Sequence, residues 1–204
     1  LQYNTDSIED EGNINILVWN MYKGKNASWS QDFEKLASSS DLLMLQEVSW
    51  QKSMQDAFHN LALNLDLAIS FISQKTLEAT GVANAGKSII SESKIFRSTF
   101  QETLVKTPKM IAASYIELPQ SQKKLLLVNI HGVNFVTTNA LAHQLKEVAP
   151  LVKEHQGPVV FAGDFNTWSK DKTELVLNLM KDLNMQEVSF PVDNRKKTFG
   201  YPLD

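Results

Sequence analysis

A chain of 204 residues, 43% hydrophobic and 21% charged, has the size and composition of one ordinary globular domain. Its net charge of -3 excludes a protein that grips nucleic acid by charge alone, because such binders neutralise several phosphates with a strongly basic face. The absence of cysteine excludes disulfides, a thiolate zinc site and a cysteine nucleophile.

The first dozen residues, with Asp6, Glu9, Asp10 and Glu11, read as a loose arm over 1–13. The chain starts at Leu1 without a methionine or a basic-then-apolar leader, which reads as a trimmed sequence with no signal peptide. Ile14 to Trp19 is short, apolar and β-rich, and predicts a buried strand ending at Asn20. Phe33, Leu36 and Ala37 have helical spacing between Trp29 and Ser38. Leu42 to Leu45 predicts a second buried strand, running into Gln46-Glu47. Met54, Ala57, Phe58, Leu61, Ala62 and Leu65 then form one helical stripe.

The middle of the chain reads as strand after strand: Leu67 to Ile72, Lys87 to Ser91, Ile95 to Val105, Met110 to Leu118 and Lys124 to Ile130. Gly81 to Lys87 reads as a loop or bulge between them. Leu141, Leu145, Val148 and Val152 share a helical face that Pro150 is expected to kink or break. Val159 to Ala162 predicts a strand ending in Gly163-Asp164-Phe165-Asn166, and Leu175, Leu179 and Leu183 mark another helix. Short strands are expected near Gln186 to Ser189 and Thr198 to Leu203. The longest apolar runs, Leu42 to Leu45 and Leu125 to Val128 with Ile130, fall far short of the ~20 residues of a membrane helix. This order of elements predicts an α/β (α+β) sandwich forming a single domain over 14–204.

Four of these apolar strands run directly into a polar residue: Asn20, Glu47, His131 and Asp164. Loops beyond strand C-termini converge on one crevice in such sheets. A carboxylate held at the end of a buried strand is partly desolvated and calls for a cation or a donor. Glu47 and Asp164, with the amide oxygens of Asn20 and Asn166, make a hard oxygen set that suits Mg²⁺ or Mn²⁺ better than zinc. Any one of these residues alone is more often a turn former or a helix cap. A lone His131 would be a hydrogen-bonded core histidine. It is the repetition of the pattern in four strands that shifts the reading to a site.

Val18-Trp19-Asn20, Leu45-Gln46-Glu47, Asn129-Ile130-His131 and Gly163-Asp164-Phe165-Asn166 resemble, in this order, the motifs of the endonuclease/exonuclease/phosphatase superfamily, the group of DNase I. The segments Val18 to Lys23, Asn129 to Phe135 and Phe199 to Asp204 are similar to its bacterial YafD-like branch, whose proteins are described as cytoplasmic. The resemblance implies a four-layered sandwich of two packed mixed β-sheets flanked by helices. It implies that Glu47 is the principal metal ligand, assisted by Asn20, and that Asp164 orients or deprotonates the attacking water. It further implies that Asn166 holds a non-bridging phosphate oxygen, and that His131 donates to the phosphate or protonates the leaving oxygen. A nearby phosphate or carboxylate would keep His131 protonated for that task.

Asp204 resembles the carboxylate that orients a further family histidine, and no Ser-Asp-His triplet supplying that histidine occurs in the sequence. The resemblance therefore implies a domain lacking its C-terminal strands, with little activity as this chain alone. Lys109 has a basic counterpart in the branch, and either faces phosphate or is an ordinary surface lysine. His59, His143 and His155 read as solvent-facing, and Trp29, Trp50 and Trp168 read as core rather than stacking platforms.

The implied function is a metal-dependent phosphoester hydrolase, first a phosphodiesterase or nuclease whose partner is a phosphoester substrate or nucleic acid. A phosphomonoesterase on a sugar or lipid phosphate and a non-catalytic binding module are the alternatives. The oligomeric state stays open.

Overall fold

Period-two alternation decides which way each strand faces, and four strands use it in the same way. On β1 (Ile16–Asn20) and β2 (Leu42–Ser49), Leu17, Trp19, Leu43 and Leu45 pack under helices, while Ile16, Leu42 and Met44 face the second sheet. On β7 (Lys123–His131) and β8 (Val159–Asp164), Leu126, Val128, Ile130, Val159 and Phe161 face helices, whereas Leu125, Leu127, Val160 and Ala162 face the first sheet. The computed structural model describes residues 13–101, 107–118, 121–134, 137–193 and 195–203.

The first sheet has the order β1-β2-β4-β3, with β3 at Asn64–Ile72 and β4 at Ala79–Gly86. The second has the order β5-β6-β7-β8, with β5 at Ile90–Gln101 and β6 at Pro108–Leu118. β1 pairs with β2 and β7 with β8 in parallel, and the other neighbours are antiparallel, so both sheets are mixed. Helices α1 (Trp29–Ser38) and α2 (Lys52–Asn60) cover the first sheet through Trp29, Phe33, Met54 and Phe58. Helices α3 (Thr138–Glu154) and α4 (Lys170–Asp182) cover the second, α3 through Leu141, Leu145 and Val148 and α4 through Leu175 and Leu179. The four-layered sandwich is thus the observed architecture. A two-stranded hairpin, β9 (Lys197–Thr198) and β10 (Tyr201–Pro202), docks on it where Thr167 Oγ1 donates to the Pro202 carbonyl at 2.7 Å.

Several local expectations are corrected. The stripe ending at Leu65 is not one helix: α2 stops at Asn60, and Ala62 takes a left-handed φ of 49°. Leu61 and Leu65 reach the same core from a turn and from β3, which is why they mimic a continuing helix. Gly81 to Gly86 is no loop but the body of β4, paired on both sides and buried. Its small residues are required by close packing, since a Cβ on Gly81 would lie 2.1 Å from the Ala68 carbonyl oxygen. Pro150 does not break α3; it lies on an exposed face near the helix end, as does Lys146, whose carbonyl it deprives of a partner. Gln186 to Ser189 forms no strand. The loose arm falls almost wholly outside the described residues, as does Val105. Among the described residues no helix is long and apolar enough to cross a membrane.

Candidate active site

Asn20, His131 and Asp164 occupy the inward-facing phase of β1, β7 and β8, at their C-terminal ends. Asn20 follows Ile16 at an even spacing, His131 follows Leu125 and Leu127, and Asp164 follows Val160 and Ala162. His131 pairs directly with Asp164 in the parallel β7–β8 ladder. Asn20 joins the sheets: its Nδ2 donates to Asp164 Oδ2 at 2.9 Å and to Glu47 Oε1 at 3.4 Å.

Glu47 falls in the wrong phase of β2 to join them by alternation alone. Leu45 pairs with Ala83 and Val48 with Gly81, leaving Gln46 and Glu47 opposite the single residue Val82. This bulge, with Glu47 at φ 50°, turns the carboxylate to the site. Asn129, on β7 two residues before His131 and fully buried, holds the bulge from the opposite sheet. Its Nδ2 donates to the carbonyls of Leu45 at 3.2 Å and Ala83 at 2.9 Å, and its Oδ1 accepts from Gln46 Nε2 at 2.7 Å. The sequence reading assigned Asn129 no task; the signal available was a polar side chain in the inward phase of an otherwise apolar strand.

His131 Nε2 lies 3.9 Å from Glu47 Oε1 and 4.0 Å from Asp164 Oδ2, and accepts a hydrogen bond from Lys109 Nζ at 2.9 Å. Lys109 is therefore part of the site rather than an ordinary surface lysine. Burial first, then the positive charges of Lys109 and Lys23, hold the imidazole well below its usual pKa. The free site carries neutral His131, contrary to the imidazolium expected from its neighbouring carboxylates. Burial raises the pKa of Asp164, opposed by the hydrogen bonds from Asn20 and the Asn166 backbone and by Lys109, and reinforced by Glu47.

Asn166, in a left-handed conformation at φ 55°, donates its backbone N–H to Asp164 Oδ1 at 3.1 Å and its Nδ2 to the Gly132 carbonyl at 3.0 Å. Asp204 lies outside the described residues. Trp29 is buried in the core, Trp50 packs on Phe58, and Trp168 is half-buried with its indole N–H donating to Asn134 Oδ1 at 2.8 Å. His155 is not solvent-facing as expected: it is half-buried against Tyr115, its Nε2 2.8 Å from the Lys124 carbonyl oxygen.

The donor set accommodates a hard cation in one particular way. Among the described residues no three His, Asp or Glu side chains form a ready-made chelate. Glu47, however, lines the cleft with its side chain 22% exposed, and Mg²⁺ characteristically keeps most of its waters and takes one or two carboxylates. Asn20 was expected to offer an oxygen to a cation. Its Oδ1 accepts from the Tyr22 N–H at 3.0 Å and its Nδ2 donates to both carboxylates.

The His131 environment fixes a dependence of stability on pH. The folded-state pKa is depressed, so as pH falls below about 6.5 the unfolded chain takes a proton that the folded chain refuses. Stability is full above that pH and is lost below it, by up to about 1.4 kcal/mol per pH unit. Asp164 has the opposite sign, its raised pKa favouring the folded state at acid pH. The difference in urea stability between wild type and His131→Gln, in chelator, isolates the histidine: it is expected to shrink from pH 7.5 to pH 5.5. A difference constant with pH would contradict the neutral assignment.

The Endonuclease/Exonuclease/phosphatase family model matches residues 2–174. The chain belongs to this family. The three activities in the family's name all cleave phosphoester bonds. A UPF0294 protein of Vibrio campbellii is 34% identical over 202 residues, covering 97% of this chain and 69% of that protein. Among solved structures, an endonuclease/exonuclease/phosphatase family protein from Leptotrichia buccalis superposes with a TM-score of 0.61 at 15% identity, covering 83% of this chain and 74% of the other. A mannosyl-6-phosphatase of Bacteroides thetaiotaomicron gives 0.60 at 13% identity, over 81% and 71%. At such identities these two family structures establish the shared fold.

Proposed function

We propose that this chain is a metal-dependent phosphodiesterase of the nuclease type, hydrolysing its substrate with an activated water. The observation that carries the reading is the meeting of Glu47, Asp164, His131 and Lys109 around one point, joined across the two sheets by Asn20. Glu47 would hold a divalent cation, Mg²⁺ with Mn²⁺ as a substitute. Such an ion, when bound, neutralises phosphate oxygens and stabilises the leaving alkoxide.

Asn20 orients the two carboxylates, so that Glu47 faces the cleft while Asp164 stays within reach of a water. Asp164, its proton affinity raised by burial, takes a proton from that water as general base. Lys109 supplies a charged donor for a phosphate oxygen, and Asn166 supports a second through its remaining amide hydrogen. His131 Nε2, which accepts from Lys109 Nζ in the free site, relays a proton from that ammonium to the leaving oxygen, and Lys109 is reprotonated from solvent as Asp164 releases the proton of the water.

The test is hydrolysis of bis(p-nitrophenyl) phosphate against p-nitrophenyl phosphate with Mg²⁺ or Mn²⁺, the low rates expected of this chain being compared with those of its own variants. Preference for the diester is expected, with Glu47→Gln and His131→Ala each slower by about 10²–10⁴-fold. Unchanged rates in both variants would refute the site; preference for the monoester would refute the diesterase.

A further inference from the structure

We propose that the cleft beside the hydrolytic residues is a subsite for a second phosphate on the same substrate, held by Lys23 against Phe71. This rests on the hydrolase reading above and adds the substrate class. The cleft, of about 230 Å³, meets the hydrolytic residues at Glu47, Lys109 and His131. Its other lining residues include Thr80 and Ser70 at the ends of β4 and β3, with Phe71 and Lys23; Asp164 and Asn166 do not line it. Its extent therefore serves a group flanking the scissile phosphate.

Lys23 follows β1 at one edge of the first sheet, and Phe71 belongs to β3 at the other edge. The lysine Nζ nevertheless lies 5.5 Å from the centre of the Phe71 ring, so its side chain crosses the ends of β2 and β4. The backbone that launches it is strained. Tyr22, Lys23 and Gly24 are three consecutive left-handed residues, at φ 49°, 57° and 67°, and the first two carry side chains. Asn20 fixes this turn, its Oδ1 accepting from the Tyr22 N–H at 3.0 Å. The asparagine that links the two carboxylates thus also aims Lys23.

Two lysines consequently face one small cleft, and both act on His131 as positive charges. An anion entering that cleft meets both charges. Lys109 touches His131 and serves the scissile phosphate, whereas Lys23 lies over Phe71, away from any contact with His131 among the hydrogen bonds described. A phosphodiester brings one negative charge to the hydrolytic end. A second phosphate, from the next nucleotide of a strand or from a phosphorylated head group, brings the charge that Lys23 is placed to meet.

The experiment measures dissociation constants by calorimetry with chelator-treated protein, so that nothing is turned over. One pair of probes is a thymidine dinucleotide with and without a terminal phosphate, at either end; the other is glycerophosphoinositol with and without a ring phosphate. At least one phosphorylated probe is expected to bind about tenfold tighter or more, the scale of a charged hydrogen bond. The pair showing the preference identifies its source. Lys23→Gln is expected to bring the ratio close to one. Lys25→Gln, which removes an exposed lysine stacked on Tyr22, is expected to leave it in place. Equal affinity within both pairs, or a ratio that survives Lys23→Gln in a folded variant, overturns the subsite. If the ratio holds while the metal-loaded protein turns over no phosphoester, the hydrolase reading fails and the subsite stands.

Discussion

Gly163→Ala is expected to cost the fold about 4 kcal/mol or more, measured as the loss in urea unfolding free energy. Gly163 has φ 132°, a region that side-chain-bearing residues rarely adopt, and it pairs with Ile130 in the β7–β8 ladder. A Cβ there would lie 2.2 Å from the Ile130 carbonyl oxygen and 2.9 Å from its nitrogen. Both are backbone atoms, so no rotamer change relieves the clash. The strands would have to part, and Asp164, the next residue, would move with β8. A loss below about 1 kcal/mol, within the range of ordinary surface substitutions, would show that this ladder yields far more easily than its geometry implies.

Asn129→Ala is expected to cost about 2–4 kcal/mol, because it removes both donors to the Leu45 and Ala83 carbonyls and the acceptor of Gln46 Nε2, all in a buried space. Its second effect separates it from ordinary core damage. The bulge carrying Glu47 loses its support from the opposite sheet, so Mn²⁺ affinity should fall roughly tenfold or more in protein that remains folded. Asn129→Asp, which keeps the size but replaces the donors by charge, should do the same. In a Glu47→Gln background, Asn129→Ala should leave the residual Mn²⁺ affinity where it was. An additive loss there would mean that Asn129 acts on the ion by some route other than Glu47.

Much of the fold was legible because alternation and helical spacing are local. The inward phase of Asn20, His131 and Asp164 can be counted along their own strands, and the motifs identify the same residues. Glu47 was found by its place at a strand end and by motif, but its route into the site was not legible, since a bulge depends on the partner strand. Asn129 and Lys23 were missed for the same reason: each acts across a gap between segments distant in sequence. β4 was misread because its small residues, Gly81, Ala83, Ala85 and Gly86, look like a turn until close neighbours on both sides explain them. Leu61 and Leu65 misled in the opposite direction, sharing a core with α2 without sharing its helix.

Residues 16–86 supply every described strand of one sheet, and residues 90–164 every described strand of the other. Among the described residues, each half of the chain therefore forms its hydrogen-bonded ladder without the other, and the halves are joined in sequence by the short link between β4 and β5. Glu47 and Asn20 belong to the first half, Lys109, His131 and Asp164 to the second. Neither half carries a usable fraction of the chemistry, so the site comes into being only at the moment the sheets dock. Any readout of an assembled site then reports the docking of the two sheets rather than the presence of either sheet by itself.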